Sequence, residues 1–475
     1  MDGARPEPSA ATAGNQAAPA HRPRVLFICA DPVGERMAGL GIRCWELARA
    51  LSDRASVTIA HGGTEEIARD GVRTVAFRPH APGALRGEIA AADTIVAHPQ
   101  WPLVNRWLRS ASARVVIDLY CPETLETLEL LADGGAGSRA SLSRRQRTAT
   151  TLDRLHAALR TGHQFMCASE TQRDLWLGAM LALRLIGPDA YDRDPSLRET
   201  IDLVPFGVPA EPPQANGAGG PAQANRAEGR REASGAGGPR EAIPALGADS
   251  EIVLWNGGIW RWLDAETAIR AVAALIERRP NVHLVFMGGA ADHPAAKAST
   301  EAARRLAGEL GLLDSVVHFH ERWTPYAERG AWLTQAACVI SAHADHLETR
   351  FAYRTRLLDC FWAGVPAVCT SGDDLAERIE REDLGALAPP GDADALSAAL
   401  ERVLKRGRDA YAPVLRAAAQ DQTWQRVSAP LARWIADPSP PVRPGDAAGV
   451  MRPPLPQRAR EAAYLAGGRM LLARR

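Results

Sequence analysis

Three loops and two strand ends of the 475-residue chain bring together residue types that can do chemistry. The first loop, Asp31-Pro-Val-Gly-Glu-Arg-Met-Ala-Gly-Leu-Gly41, follows a short apolar run and leads into an amphipathic pattern from Ile42 to Leu51. Gly39, Gly41 and Arg43 are its candidates: glycines let backbone approach a ligand, and a helix start offers N–H groups to an anion or a sugar hydroxyl. The spacing is not GxGxxG, so a dinucleotide reading is weakened, and a tight turn without a ligand also fits. The second loop, Trp255-Asn-Gly-Gly-Ile-Trp-Arg-Trp-Leu-Asp264, has the same design. Gly257 and Gly258 free the backbone, Trp260 and Trp262 offer flat faces, and Arg261 carries a fork suited to phosphate, although the tryptophans serve equally well as core. The third, His343 to Pro366, holds Glu348, Arg350, Arg354 and Arg356 ahead of an apolar helix. Arginines at a helix N-terminus oppose the local dipole unless an anion binds, which suggests a diphosphate site; a solvated charged turn is the alternative. His343, Asp345 and His346 are too few and too local to predict a metal. At strand ends, His98 in Val96-Ala-His-Pro99 and Asp118 in Arg114–Tyr120 are candidates for orienting or deprotonating hydroxyls.

The elements that position these loops alternate. Apolar strand runs at 24–31, 56–60, 94–97 and 114–120 are separated by helical or turn-rich stretches, residues 123–185 read as mostly helical, and Leu203–Val208 closes the unit. No Val, Leu, Ile, Phe, Met, Tyr or Trp occurs between Val208 and Ile243, so 209–249 is expected to be a flexible linker or insertion. The rhythm then restarts, with strands predicted at 252–255, 283–287, 316–319, 338–341 and 367–369 and helices at 265–277, 300–310, 328–336, 354–362 and 395–406. Such alternation predicts two doubly wound α/β domains, 23–208 and 250–420, with a helix at 421–436 that could cross back to the first. Ligands of open α/β sheets sit beyond the carboxyl ends of the strands, so two facing sheets would hold them in a cleft.

Composition removes other classes. The counts of Lys+Arg and Asp+Glu are both 56, leaving no averaged basic signal for nucleic acid. Seven cysteines without CxxC pairs argue for reduced thiols and a cytoplasmic setting. Residues 1–22 lack a branched aliphatic or aromatic side chain and read as a disordered leader, and no run reaches the ~18 apolar residues of a membrane span. The Pro-rich tail 437–475 ends in a stretch, Gln457–Arg475, with five arginines against one glutamate and interleaved Tyr464, Leu465, Met470, Leu471 and Leu472. It could touch the inner face of an anionic membrane or fray as a cationic tail.

The run Leu357-Leu-Asp-Cys-Phe-Trp-Ala-Gly-Val-Pro-Ala-Val368 resembles the signature of the family 4 (group 1) glycosyltransferases. Val204-Pro-Phe-Gly-Val208, His283-Leu-Val-Phe-Met-Gly-Gly289, His318-Phe-His-Glu-Arg-Trp-Thr-Pro325 and Gly385-Ala-Leu-Ala-Pro-Pro-Gly-Asp392 follow that family's order. The resemblance covers residues 24–436 without the linker. It implies a GT-B fold, two Rossmann-like domains facing across a cleft, and sugar transfer from a nucleotide-sugar donor to a saccharide or lipid-linked acceptor. It also implies retention, no bound metal and no cofactor beyond the donor itself, with cell-surface polysaccharide or glycoconjugate assembly as the setting. Gly257, Gly258, Trp260, Arg261, Gly288, Trp323, Arg354, Thr355, Arg356 and Asp359 would bind the donor, and Glu348, Asp118 and His98 would serve catalysis. The chain also departs from the pattern. Asp359 takes the place of the second of two family glutamates, while the first falls at Phe351, so Glu348 would need a longer loop to serve. Two family cations fall near Gly258 or Ile259 and at Asp264, leaving Arg261, Arg354 and Arg356 to replace them. A family histidine falls near Tyr120. These departures motivate a second reading, a degenerate GT-B protein that binds nucleotide sugar or partners an active transferase. A third reading, a nucleotide-sugar 2-epimerase, would need carboxylates and histidines facing across the cleft.

Overall fold

A computed structural model describes residues 22–35, 37–78, 81–100, 102–130, 139–213, 237–288 and 294–444. The expected leader, the amphipathic tail and the middle of the linker lie outside the described residues.

The first sheet comprises β1 (Arg24–Cys29), β2 (Ser56–His61), β3 (Ala68–Arg69), β4 (Val72–Ala76), β5 (Thr94–Ala97), β6 (Arg114–Asp118), β7 (Gln164–Cys167) and β8 (Ile201–Leu203). Their order is β3-β4-β2-β1-β5-β6-β7-β8, parallel throughout except for the β3–β4 pairing. The central strands read as near-continuous apolar runs because helices cover both faces; every residue of β5 and β6 is buried. The second sheet contains β9 (Glu251–Trp255), β10 (Val282–Phe286), β11 (Val317–Phe319), β12 (Cys338–Ser341), β13 (Ala367–Thr370) and β14 (Gly385–Ala388). It runs β11-β10-β9-β12-β13-β14, all parallel. In both sheets the first strand borders two neighbours whose crossovers run in opposite directions: β1 lies between β2 and β5, and β9 between β10 and β12. That reversal opens a crevice at the carboxyl ends of β1/β5 and β9/β12, the topological switch point where ligands of such sheets bind.

Three elements differ from the sequence expectation. β7 interrupts the stretch 123–185, dividing the helix Arg139–Leu159 from the helix Glu170–Ala182. β7 (Gln164-Phe-Met-Cys167) has no β-branched residue to mark a strand and is defined by its pairing with β6 and β8. The edge strand β14 (Gly385-Ala-Leu-Ala388) is hidden for the same reason, and β3 has only two residues with which to pair β4. Within the expected linker 209–249, residues 237–249 are described and packed. A short helix, Pro239–Ala242, docks there, and Ile243 and Leu246 are buried in the core. These two side chains supply burial that the preceding apolar-free stretch lacks.

Two groups of contacts are among those that stitch the domains. Gln172, fully buried on the helix Glu170–Ala182, donates through Nε2 to the carbonyls of Tyr120 and Phe351, both at 2.8 Å, joining first domain to second. After the helix Ala412–Asp421, Thr423 pairs with Val208, and Trp424 stacks 4.8 Å from Phe206 before the helix Ala429–Ala436 returns to the first domain. There Arg433 meets Asp202 at 3.0 Å and Arg114 meets Asp437 at 2.9 Å.

Candidate functional site

The carboxyl end of β9 turns through Asn256, Gly257 and Gly258 directly beside the end of β12. Gly257 has φ 137°, a left-handed conformation that a side chain would strain. The turn is tied to β12 by the Asp264 amide, which donates to the Ala342 carbonyl at 2.9 Å, and by a bridge between Leu263 and His343. Asp264 then caps the helix Ala265–Leu275 by accepting from the Thr267 amide. Trp260 and Trp262 stack with parallel rings 5.4 Å apart, and the intervening Arg261 is exposed.

The helix Thr355–Ala363 aims its N-terminus at this loop, with neither a side-chain cap nor an acid in its first turn. Arg356, in that turn, reaches back over the Trp255 ring, 5.4 Å from its centroid, and Nη2 donates to the Gly258 carbonyl at 3.2 Å. Its backbone carbonyl accepts from Asn256 Nδ2 at 2.9 Å. Among the described residues no carboxylate pairs with it, and Nη1 is buried without a partner. Burial and the neighbouring Arg354 lower its pKa to about 10, so it remains a cation at neutral pH. Buried polar atoms without partners gather around it: Asn256 Oδ1, Ser341 Oγ and His343 Nδ1. Burial, Arg354 and Arg356 hold the His343 imidazole neutral, well below its ordinary value. Buried polar groups are normally satisfied, so orphan donors and acceptors around an unpaired guanidinium mark a place for a polar anionic ligand.

Arg354 has a different role. Its side chain is fully buried in an ion pair with Asp373, and Nη1 donates to the Thr370 carbonyl at 2.7 Å. Asp373 also caps the helix Asp374–Arg381 by accepting from the amides of Leu375 and Ala376. Arg354 is therefore a strut between β13 and its following helix rather than a diphosphate ligand. Thr355 opens the helix beside Arg356. Asp359, one turn further, accepts from Arg329 Nε at 3.1 Å and keeps an accessible edge. Gly288 follows β10 and lies against the backbone carbonyls of His320 and Arg322, and Trp323, just beyond, has a buried Nε1 without a partner.

Glu348 sits on the five-residue helix Leu347–Phe351, capped by His346, and is buried against the first-domain helix Glu123–Leu130. Burial first, and Glu126 second, push its carboxyl up to about 8, so at neutral pH it carries a proton. Glu126 itself is pushed up to about 7 by burial and Glu123. Among the described residues, His343, Asp345 and His346 assemble with no other group into a set that could hold a metal.

In the first domain, Arg43, Asp118 and His98 come together, but facing inward. Arg43 is fully buried: Nε and Nη2 donate to the two oxygens of Asp118 at 2.7 and 3.1 Å, while Nη1 and Nη2 donate to the carbonyls of Pro205 and Val204. His98 Nδ1 lies 3.3 Å from the Asp118 carbonyl and Nε2 faces Cys44 Sγ at 3.9 Å. Asp118 and Arg43 thus lock the ends of β6 and β8 to the helix Gly39–Leu51, and neither is free to meet an acceptor. Gly39 opens that helix. Gly41 is required by close approach, because a Cβ there would stand 2.4 Å from the Pro32 carbonyl oxygen. Sequence reasoning missed Asn256, Ser341, Arg329 and Asp373. The first two were accessible to anyone who knew that β9 and β12 are adjacent; the last two reveal themselves only through their partners.

Two Rossmann-like sheets with facing switch points, joined by a C-terminal helix that returns to the first domain, define the GT-B fold. Residues 250–406 match the family described as glycosyl transferases group 1. The chain aligns with sucrose-phosphate synthase from Thermosynechococcus elongatus at 16% identity and TM-score 0.60, covering 87% of this chain and 98% of that one. It aligns with the Anabaena protein HepE, solved with UDP-glucose, at 14% identity and TM-score 0.57, covering 87% and 98%. A third solved structure, the UDP-forming α,α-trehalose-phosphate synthase of Burkholderia xenovorans with glucose-6-phosphate, aligns at 12% identity and TM-score 0.55, covering 87% and 100%. No curated protein matches significantly by sequence. The likeness to these solved structures shows the GT-B fold, and the match to the group 1 glycosyltransferase family lies within the second domain.

Proposed function

We propose that the protein transfers a sugar from a nucleoside-diphosphate sugar to a saccharide acceptor with retention at the anomeric carbon, and that side chains and backbone carry the charge of the leaving diphosphate without a metal. The observation that carries this reading is Arg356, a guanidinium without a carboxylate partner among the described residues, lying over the Gly257–Gly258 turn at the uncapped start of the helix Thr355–Ala363. As the bond from the anomeric carbon to the diphosphate lengthens, charge collects on the phosphate oxygens. A fixed guanidinium and helix N–H groups stabilise it there without reorganising.

The protonated Glu348 carboxyl is suited to donate a hydrogen bond to a sugar hydroxyl, and unsuited to attack as a nucleophile. Asp118 is consumed by Arg43, so it does not offer an inverting reaction a free base. These points favour a path in which an oxygen of the departing diphosphate accepts the acceptor's proton on the same face. Saccharide acceptors, free or lipid-linked, of cell-surface glycoconjugates are the class to which the reading extends.

The test incubates purified protein with UDP-, GDP- and dTDP-sugars, with and without saccharide and lipid-linked acceptors and with EDTA, and follows release of nucleoside diphosphate. Acceptor-dependent release that persists in EDTA, with the anomeric configuration kept in the product, is expected. Binding of nucleotide sugars without turnover in every combination would overturn the reading.

A further inference from the structure

The helices Pro102–Ser110 and Arg139–Leu159 pack side by side over one face of the first sheet, where Val104, Leu108, Ala158 and Leu159 join its core. Their outer surface is basic. Arg106, Arg109, Arg145, Arg147 and Arg160 are exposed on it, against one exposed acid, Asp153. Arg144 and Arg154 of the longer helix have another task. Arg144 donates through Nη2 to the Leu128 carbonyl at 2.9 Å and Arg154 meets Glu123 at 3.2 Å, so both hold the neighbouring helix Glu123–Leu130. The exposed arginines are interleaved with apolar side chains that the core does not take up: Leu142 is 68% exposed, Leu103 is 41% exposed, and Trp107 is only partly covered. A helix of 21 residues is about 30 Å long, so these groups form a stripe rather than a pocket.

The end of the chain leads to the same surface. Arg443 donates through Nε to the Thr161 carbonyl and through Nη2 to the Arg109 carbonyl, both at 2.9 Å, where the two helices finish. Val442 beside it is 57% exposed. The described residues stop at Pro444, so the basic stretch Gln457–Arg475 is tethered to one end of the stripe by residues 445–456.

We propose that the outer surface of these two helices docks on an anionic lipid bilayer. Guanidinium groups attract the anionic headgroups, each basic residue adding about fivefold to the partition. Leu103, Trp107 and Leu142 enter the headgroup layer between them. A nucleic acid would engage the arginines and leave Leu103 and Leu142 in water, whereas a bilayer takes up both kinds of side chain. The helix Pro102–Ser110 starts after the carboxyl end of β5, and the helix Glu123–Leu130 after that of β6, so one end of the docked surface lies on the cleft side of the sheet. That placement favours a lipid-linked acceptor, an extension that alone rests on the transfer reading above.

The experiment sediments the full chain with vesicles of phosphatidylcholine and with vesicles of equimolar phosphatidylcholine and phosphatidylglycerol, and follows amide hydrogen exchange with each. Wild type is expected to bind the anionic vesicles at least about 10-fold more tightly, to lose most of that preference at high ionic strength, and to exchange more slowly in residues 102–110 and 142–160 when bound. Arg145→Ala and Arg147→Ala together should weaken binding about 25-fold and Leu142→Ser about threefold, with melting temperatures unchanged because these side chains are exposed. Equal binding to both vesicle compositions, or retention on duplex DNA but not on vesicles, would overturn the proposal. So would wild-type affinity in the double arginine variant, which would assign vesicle contact to the tail. Should a variant fail to fold, exchange in wild type decides, since slowing confined to other segments overturns the docking surface. Vesicle binding needs no nucleotide sugar, so a failure of sugar transfer and a failure of docking are read separately.

Discussion

Arg354 and Arg356 stand two residues apart and meet opposite surroundings, which separates a strut from the group on which the proposed donor site rests. Removing Arg354 would leave Asp373 buried and unpaired, a change that costs about 3–5 kcal/mol in comparable sites. Arg354→Ala should therefore lower the melting temperature before any effect on ligand can be read. Arg356→Ala removes a charge that no carboxylate needs, so the fold should hold while affinity for a nucleoside diphosphate falls about 10-fold or more and affinity for the nucleoside stays within about twofold. Calorimetry with the two ligands checks this; equal losses for both would refute a diphosphate contact. Glu348 makes a second prediction. The folded chain keeps its proton to about pH 8 against an ordinary 4.5, so folding favours the protonated form. Stability is therefore fullest below the ordinary glutamate range and declines as pH rises towards 8. Glu348→Gln, which mimics the neutral acid, should match wild type near pH 4 and melt about 2 °C or more above it at pH 8.5. Parallel melting curves across that range would show that the carboxyl titrates normally.

At the scale of elements, what was legible is what carries a local pattern. The helix Ala393–Arg406 and the strands β1, β5, β9 and β12 emerge from apolar spacing alone, because parallel strands covered on both faces are written as unbroken apolar runs. β7 (Gln164-Phe-Met-Cys167) and β14 (Gly385-Ala-Leu-Ala388) have the same four residues as β5 and β12 in length but none that is β-branched, and they are placed by their neighbours in the sheet. The candidate site divides in the same way. Gly257, Gly258 and Arg356, on which the proposed donor site rests, stand out in the sequence because a glycine turn after a strand and a cation at a helix start have local physical meaning. Arg43, Asp118 and His98 carry the same residue types at the same kind of strand end, yet they face one another inside the domain. A single sequence does not reveal partners separated by 75 residues, as Arg43 and Asp118 are. Any acceptor contact proposed for the Asp31–Gly41 loop then falls to its backbone, and Gly41→Ala tests it. The added methyl would meet the Pro32 carbonyl at 2.4 Å and push the start of the helix Gly39–Leu51 away from β1. Transfer to acceptor should fall at least about 10-fold with donor affinity unchanged, and stability should drop by about 1–3 kcal/mol. Unaltered transfer would detach this helix start from the acceptor side.

For the whole molecule, the zero net charge conceals unlike parts: an unpaired cation at the cleft, buried arginine–carboxylate struts in both domains, and two carboxyls, Glu126 and Glu348, that keep their protons near neutrality. What holds the two domains in register is mostly neutral. Gln172 and Gln422 bridge them with amide hydrogen bonds, Gln422 Nε2 donating to the Phe206 carbonyl at 2.8 Å and to the Tyr353 hydroxyl at 3.0 Å. Trp424 caps that junction. Its ring fills the space above Gly207, where a Cβ would stand 2.7 Å from it, and packs on Phe206, while its amide donates to the Val208 carbonyl at 3.1 Å. Trp424→Ala keeps the backbone pairing and removes the ring, opening a cavity between Phe206 and the helix Gly39–Leu51. Large-to-small changes at such sites cost about 3–5 kcal/mol. The loss should fall on the first domain and on the return of the helix Ala429–Ala436, because the second-domain site around Arg356 shares no partner with Trp424. Calorimetric scans should therefore show an earlier transition that nucleoside diphosphate does not shift, followed by a ligand-stabilised one at the wild-type temperature. A single transition that moves as a unit with ligand would mean that the two domains unfold together and that the crossing helix belongs to one cooperative core.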